Sequence, residues 1–264
     1  MLITSRSNPQ VKQVRKLAQL KARRETDCFF VGGPHLVLEA LAAEASVEQL
    51  LLCPELVETL EPEIRHRIAA AAADHTTLYL NRDVFATVSD RRDQFFGCAA
   101  VIHQRWTKLL DIVPQMGQVW LACHAIQYPA NLGTMMRTLD AVGGTGLLLL
   151  GDSTDPYDPA AVRASQGSVF RHTLVQTNTA ELAQWQQRHS LFFVGTSPQA
   201  HHDYRSVSYP RPCVVFMGNE RSGLGPSEME LCQQLVSIPM LGQCDSLNVA
   251  VAAGLILYEA HYRQ

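Results

Sequence analysis

Two kinds of hydrophobic pattern alternate along the chain. Short runs that are apolar throughout, such as GLLLL at 146–150 and VVFM at 214–217, read as buried strands. Between them lie stretches whose apolar residues return every three or four positions, which read as helices. Asn8 and Pro9 open the first of these, with Val11, Val14, Leu17 and Ala18 on one stripe and Lys12, Lys16, Gln19 and Arg23 on another. Strands follow at 28–31, 47–53, 77–80 and 98–102, with helices at 34–43 and 61–73, which predicts a small α/β sandwich. From 104 to 117 the periodicity weakens and Pro114 and Gly117 appear, so this stretch reads as a linker between a domain at 1–103 and one at 118–264.

The second half alternates more clearly. Strands are expected at 119–123, 146–150, 191–194, 214–217 and 236–238, and helices at 131–142, 180–188 and 247–262. Its last helix is apolar nearly all round at first and is expected to be buried. Strands apolar on both faces and separated by helices imply a parallel sheet covered on both sides. Ligands of such sheets bind at the carboxyl ends of the strands.

Composition adds bounds. Hydrophobic residues make up 47% of the 264 and charged residues 18%, enough for substantial cores and against disorder. A formal charge of −3 argues against a general nucleic-acid adhesive. The charge is nevertheless uneven: the first 24 residues hold Arg6, Lys12, Arg15, Lys16, Lys21, Arg23 and Arg24 and no acid, which points to a local anionic partner. Seven cysteines without a CxxC read as buried free thiols in a reducing compartment. No signal peptide is read at the start, and the apolar runs are far too short to span a bilayer, so a cytoplasmic location and no membrane partner are expected.

The chemistry centres on MGNERSGLGPSEME, 217–230, where an apolar strand stops at Gly218. Gly218 and Gly223 have P-loop spacing, but Leu224 and Gly225 stand where a P-loop needs Lys and Ser/Thr, so the loop does not read as a nucleoside-triphosphate site. The cluster Gly143-Gly144-Thr145-Gly146 follows a helix and precedes a strand, the reverse of a dinucleotide fingerprint. Taken alone, the loop reads as a plain connection. Two further segments keep it company. In NLGTMMR at 131–137, Asn131 is placed as an N-cap, Leu132, Met135, Met136 and Leu139 form a buried stripe, and Arg137 points nearly opposite it. In IPMLGQCDSLN at 238–248, Asp245 or Ser246 is placed as the cap of the last helix. His201-His202-Asp203 is the nearest approach to a metal cluster and reads as a polar loop, so no metal is expected.

These three segments, NLGTMMRT, GNERSGL and IPMLGQCDSLNVAVA, resemble in order and spacing the motifs of the SpoU/TrmH family of ribose 2′-O-methyltransferases, in the SPOUT superfamily. SNPQVKQVRKL and FFVGGPHLVLEAL resemble, more weakly, that family's N-terminal substrate-binding domain, similar in fold to a ribosomal RNA-binding protein. The resemblance implies a C-terminal parallel-sheet domain with a trefoil knot, a homodimer through that domain, and S-adenosyl-L-methionine as cofactor. By the same analogy the cofactor lies among Thr196, Gly218, Ile238 and Leu247. Arg137 matches the family's arginine. A guanidinium with a pKa above about 12 is a poor base, so clamping a phosphate and stabilising developing charge is the easier role. Glu220, Ser246 and Asn248 match the polar residues gathered around the reactive hydroxyl, and Asn131 those that shape the site beside the arginine. Whether Glu220 takes a proton or orients Arg137 stays open. Two positions depart from the family: Tyr128 stands where an acid is usual, and Gly32-Gly33 where Glu-Gly is usual. The expected partner is tRNA or rRNA, with Lys12, Arg15, Lys16 and Arg23 of the basic helix against its phosphates. The alternative is a non-catalytic RNA-binding protein that keeps the fold.

Overall fold

The computed structural model describes residues 1–89 and 96–263. Its elements run β1 (Leu2–Ile3), α1 (Pro9–Lys16), α2 (Leu20–Thr26), β2 (Cys28–Gly32), α3 (Pro34–Ala42), β3 (Val47–Leu52), α4 (Pro54–Val57), α5 (Pro62–Asp74), β4 (Thr77–Leu80), α6 (Arg82–Val88) and β5 (Cys98–His103). They continue with β6 (Val119–His124), α7 (Pro129–Ala141), β7 (Gly146–Leu150), α8 (Pro159–Ser165), β8 (Thr173–Gln176), α9 (Thr179–His189), β9 (Phe192–Thr196), β10 (His202–Asp203), β11 (Cys213–Met217), α10 (Pro226–Glu230), β12 (Gln234–Ser237) and α11 (Val249–Tyr262). Two compact units form, one from Met1–Gln104 with Tyr157–Phe170, the other from Arg105–Pro156 with Arg171–Gln264.

The first unit holds a five-stranded mixed sheet in the order β1-β4-β3-β5-β2. Asn8 caps α1 as its residue type dictates, its side chain accepting from the Gln10 N–H at 2.9 Å. The apolar stripe of α1 then buries Val11, Val14 and Leu17 in one core with Leu51, Leu80 and Phe85. The segment around α8, expected in the second domain, belongs here. Tyr157 and Phe170 set their rings 4.5 and 6.2 Å from that of Phe29 on β2, so aromatic packing claims the segment.

In the second unit seven strands lie in the order β10-β12-β9-β11-β6-β7-β8, and every pairing is parallel. β7 and β11 are buried along their whole length, as uniform apolar runs require in a sheet covered on both faces. The stretch read as a linker is partly built into this unit: Leu109 is in its core, and the Trp185 Nε1–H donates to the Ile112 carbonyl at 3.0 Å. The glycines at 143 and 144 end α7. Gly143 takes φ +68, its N–H reaches the Asp140 carbonyl, and the Gly144 N–H reaches that of Leu139, the paired bonds of a Schellman stop. His202–Asp203 pairs with β12 as a two-residue edge strand, and Asp203 is engaged bidentately by Arg205. Among the described residues, no helix is long and apolar enough to cross a membrane. Five of the seven cysteines are buried, whereas Cys232 is half-buried and Cys244 exposed, and all are free thiols.

Candidate active site

Three neighbouring parallel strands, β12, β9 and β11, end side by side. Val236 pairs with Thr196, and Phe216 with Gly195, so the chain leaves the sheet at Thr196, Gly218 and Ile238 from one level. With strands about 4.8 Å apart, these exits span a single ligand's width. The Thr196 hydroxyl donates to the Phe216 carbonyl at 3.3 Å, tying two of the exits together.

The loop after β11 folds back on itself. Asn219 and Gly223 exchange both backbone hydrogen bonds, at 3.0 and 2.9 Å, and the Asn219 carbonyl side chain accepts from the N–H groups of Arg221 and Ser222. This brings Gly223 and Leu224 against Gly218 so closely that a Cβ at 218 would stand 2.2 Å from the Gly223 carbonyl carbon. Only glycine fits there. The Asn219 Nδ2 donates to the Ala125 carbonyl at 2.7 Å, fastening the loop to the exit of β6. Asn219 was missed from sequence; its signal is an Asx-type residue directly after a strand-end glycine.

Helix α7 starts two residues earlier than expected. Tyr128 is the N-cap and Pro129 takes the first turn, as proline's fixed φ favours, so Asn131 lies inside the helix and does not cap it. Its amide is thereby free to bridge. Asn131 Nδ2 donates to Glu220 at 3.1 Å, and Asn131 Oδ1 accepts from Asn248 Nδ2 at 3.1 Å. The Glu220 carboxylate also accepts from the Gln127 N–H at 3.0 Å and the Tyr128 N–H at 3.3 Å, and so serves the N-terminus of α7 as an external anionic cap. Asn248, not Asp245 or Ser246, is the N-cap of α11, its Oδ1 accepting from the Ala250 N–H at 2.8 Å. One polar chain, Asn248–Asn131–Glu220, therefore joins all three segments across 117 and 89 residues of sequence.

The charge state of Glu220 follows from these contacts. Partial burial raises its pKa, but hydrogen bonds from Gln127, its own N–H, Asn131 and Tyr128 outweigh that and hold it below its ordinary value. It is therefore an ionised acceptor whose oxygens take these hydrogen bonds. Among the described residues, Arg137 is not one of its hydrogen-bond or ion-pair partners. Arg137 is exposed on α7, opposite the buried Leu132, Met135, Met136 and Leu139, and has no hydrogen-bond or ion-pair partner among the described residues. Its cationic fork is open to an outside anion. Among the described residues, the exposed Ser246 hydroxyl bonds only to Asp245, at 3.0 Å, and does not enter the chain. Leu247 is 38% exposed and stands just ahead of α11.

On the first unit, Lys12, Arg15 and Lys16 are exposed along α1. Arg23 is a correction: it is 2% exposed, donates to the Leu17 and Ala18 carbonyls at 2.9 and 3.1 Å, and lies 3.5 Å from Asp158. A guanidinium so enclosed holds the α1–α2 turn and cannot reach a phosphate.

S-adenosylmethionine fits this geometry. Gly218 lets the Gly223 and Leu224 backbone close on the strand end, and Thr196 and Ile238 leave the sheet at neighbouring exits, which suits a ligand gripped mostly by backbone.

Comparison with known proteins agrees. Residues 118–258 match the SpoU rRNA Methylase family, and residues 8–94 match the MRM3-like substrate binding domain. The chain is 31% identical over 97% of its length, and 97% of the relative's, to the 23S rRNA (guanosine(2553)-2'-O)-methyltransferase RlmP of Bacillus subtilis. It is similar to the AdoMet-bound rRNA methyltransferase of Sinorhizobium meliloti, with TM-score 0.87 and 35% identity over 99% of this chain and 97% of that one. It is also similar to the SpoU methyltransferase AviRb of Streptomyces viridochromogenes in complex with AdoMet, with TM-score 0.87 and 27% identity over 97% of each chain. The chain belongs to the SpoU rRNA methylase family.

Proposed function

We propose that the protein transfers a methyl group from S-adenosylmethionine to a ribose 2′-hydroxyl of ribosomal RNA. The observation that carries this reading is the Asn248–Asn131–Glu220 chain, which gathers the three segments beside the strand exits. The relatives' names favour rRNA over tRNA as the substrate and do not favour the non-catalytic alternative. When bound, the cofactor supplies an electrophilic methyl on a sulfonium. Gly218, Thr196, Ile238 and Leu247 hold it through main-chain and apolar contacts. Ionised Glu220 fixes Asn131, and Asn131 with Asn248 fixes the start of α11. Arg137 clamps the phosphate beside the reacting ribose and stabilises charge developing on its oxygen as that oxygen takes the methyl and yields its proton to solvent, with S-adenosylhomocysteine as the leaving group. The test is incubation with methyl-labelled S-adenosylmethionine and rRNA transcribed without modifications, followed by digestion to nucleosides. Label is expected in one 2′-O-methyl nucleoside; label on a base, or none in any RNA, would refute the reading.

The trefoil knot belongs to this proposal. β11 lies between β9 and β6, the chain then returns to the far side of β9 as β12, and α11 packs on α7, an order that supports threading. So does the homodimer. Along α11, Val251, Leu255, Tyr258 and Tyr262 are 52%, 39%, 45% and 75% exposed at spacings of four, three and four, so the helix expected to be buried keeps one apolar face open. A two-fold partner burying the same face is the simplest cover. Light scattering should give twice the chain mass, and Leu255→Glu should halve it; a wild-type monomer would remove the dimer.

The basic helix makes the electrostatic contribution. Deleting residues 1–24 would strip Val11, Val14 and Leu17 from a core, so point changes are the sound test. Replacing Lys12, Arg15 and Lys16 together by Ala should lower the slope of log K against log salt by about 2 to 3. An unchanged slope would show that α1 does not meet phosphate.

A further inference from the structure

The first unit carries a concavity of about 340 Å³ that the methyl-transfer site does not use. It lies along β2, the edge strand of its sheet. Phe29 and Val31 are buried in the core, while the alternate residues Phe30 and Gly32 line the concavity. Gly32 adds no side chain, leaving the ring of Phe30 as its aromatic surface. The floor is apolar, made by the buried Val14, Leu36 and Val162.

Its polar lining is sparse and of two kinds. Arg15, exposed in the last turn of α1, and Arg163 of α8 bring guanidinium groups. Thr87 and Ser89 bring hydroxyls whose protons are already given to the Val84 and Phe85 carbonyls, at 2.7 and 2.6 Å, so their oxygens are left as acceptors. An apolar slot with one aromatic wall, acceptors inside and cations lining it suits a flat heteroaromatic ring that carries N–H donors and a nearby anion. An unpaired nucleotide has all three. A base inside an A-form duplex does not, because the stacked helix offers only a shallow minor groove and a deep, narrow major groove. The volume lies near the lower end for small-ligand pockets, which suits one nucleotide and not several. Lys12 and Lys16, exposed on the same helix as Arg15, extend the positive surface for the adjoining phosphates.

We propose that this concavity receives one unpaired, splayed-out RNA nucleotide, its base packed on Phe30 and its phosphate held by Arg15. The inference rests on RNA being the substrate, and adds that the recognised region contains a single-stranded nucleotide apart from the methylated one.

Two variants of the full chain test it. Ala18→Trp adds bulk to the lining from an exposed position whose hydrogen bonds, to Arg15 and from Arg23, are made by its backbone. Phe30→Leu keeps an apolar side chain and removes the aromatic face. Anisotropy with a labelled single-stranded 12-mer and with its duplex is the readout, alongside calorimetry of S-adenosylmethionine binding. Each variant should weaken the single strand by about tenfold, the scale of one lost stacking contact, and leave duplex and cofactor affinity unchanged. Single-strand binding equal to wild type in both variants would overturn the pocket, as would equal losses for single strand and duplex, which would mark a charged surface. If wild type methylates rRNA while both variants bind normally, the pocket falls and the methyltransferase reading stands. If the variants lose single-strand binding but wild type transfers no methyl to any RNA, the pocket stands and that reading falls.

Discussion

Arg137→Ala should lower methyl transfer by at least about a hundredfold, the scale for removing one preorganised charged donor from a transition state. S-adenosylmethionine affinity should be nearly unchanged. The side chain is exposed, has no partner among the described residues, and projects away from the buried stripe of α7, so its loss opens no cavity and strands no polar group. Single-turnover transfer and calorimetry on the same sample separate the two effects. Arg137→Lys is the informative companion. An ammonium keeps the charge but not the fork, so partial recovery would show that charge dominates, and no recovery would show that bidentate geometry does. Lost cofactor affinity in Arg137→Ala would place the arginine in the cofactor site and remove it from the phosphate.

Gly218→Ala should weaken cofactor binding while the rest of the fold persists. The new methyl would stand 2.2 Å from the Gly223 carbonyl carbon and 2.3 Å from the Leu224 nitrogen, both backbone atoms, so the loop must open. Overpacking of this kind costs about 1–3 kcal/mol, which corresponds to a loss of roughly five- to 150-fold in affinity if it is carried wholly by the bound conformation. Gly223→Ala is the control. There a Cβ meets nothing within 4 Å, although φ is +70, so only backbone strain opposes it and the loss should be smaller. Calorimetry with S-adenosylmethionine ranks the two. Equal losses would mean that the close approach at 218 is not what shapes the cradle.

Much of this architecture is legible in sequence for a simple reason. Uniform apolar runs such as those of β7 and β11 can belong only to doubly covered strands, and their alternation with helices leaves little choice of sheet. Strand exits then mark where a ligand of such a sheet binds. The errors are local and share a cause: residue type reports what a side chain can bond, not what competes for it. Asn131 is a good cap in isolation, but Pro129 starts the helix sooner and frees the amide for Glu220 and Asn248. Asp245 and Ser246 are good caps too, yet Asn248 lies closer to the helix and takes the role while its Nδ2 reaches Asn131. Arg23 sits in a basic run that reads as one surface, but it turns inward to two carbonyls and Asp158. The segment around α8 was beyond reach, because its aromatic residues meet Phe29 from more than a hundred positions away.

Whether the three segments act as one site is best measured by a double-mutant cycle of Asn131→Ala and Asn248→Ser on single-turnover methyl transfer. Serine keeps the cap of α11 and withdraws the amide donor that stands 3.1 Å from Asn131. Residues bonded in one network are coupled by about 0.5–3 kcal/mol, so the double variant should be little slower than the slower single variant. Fully additive losses would mean that Asn131 and Asn248 serve separate places, and that no shared site joins the segments.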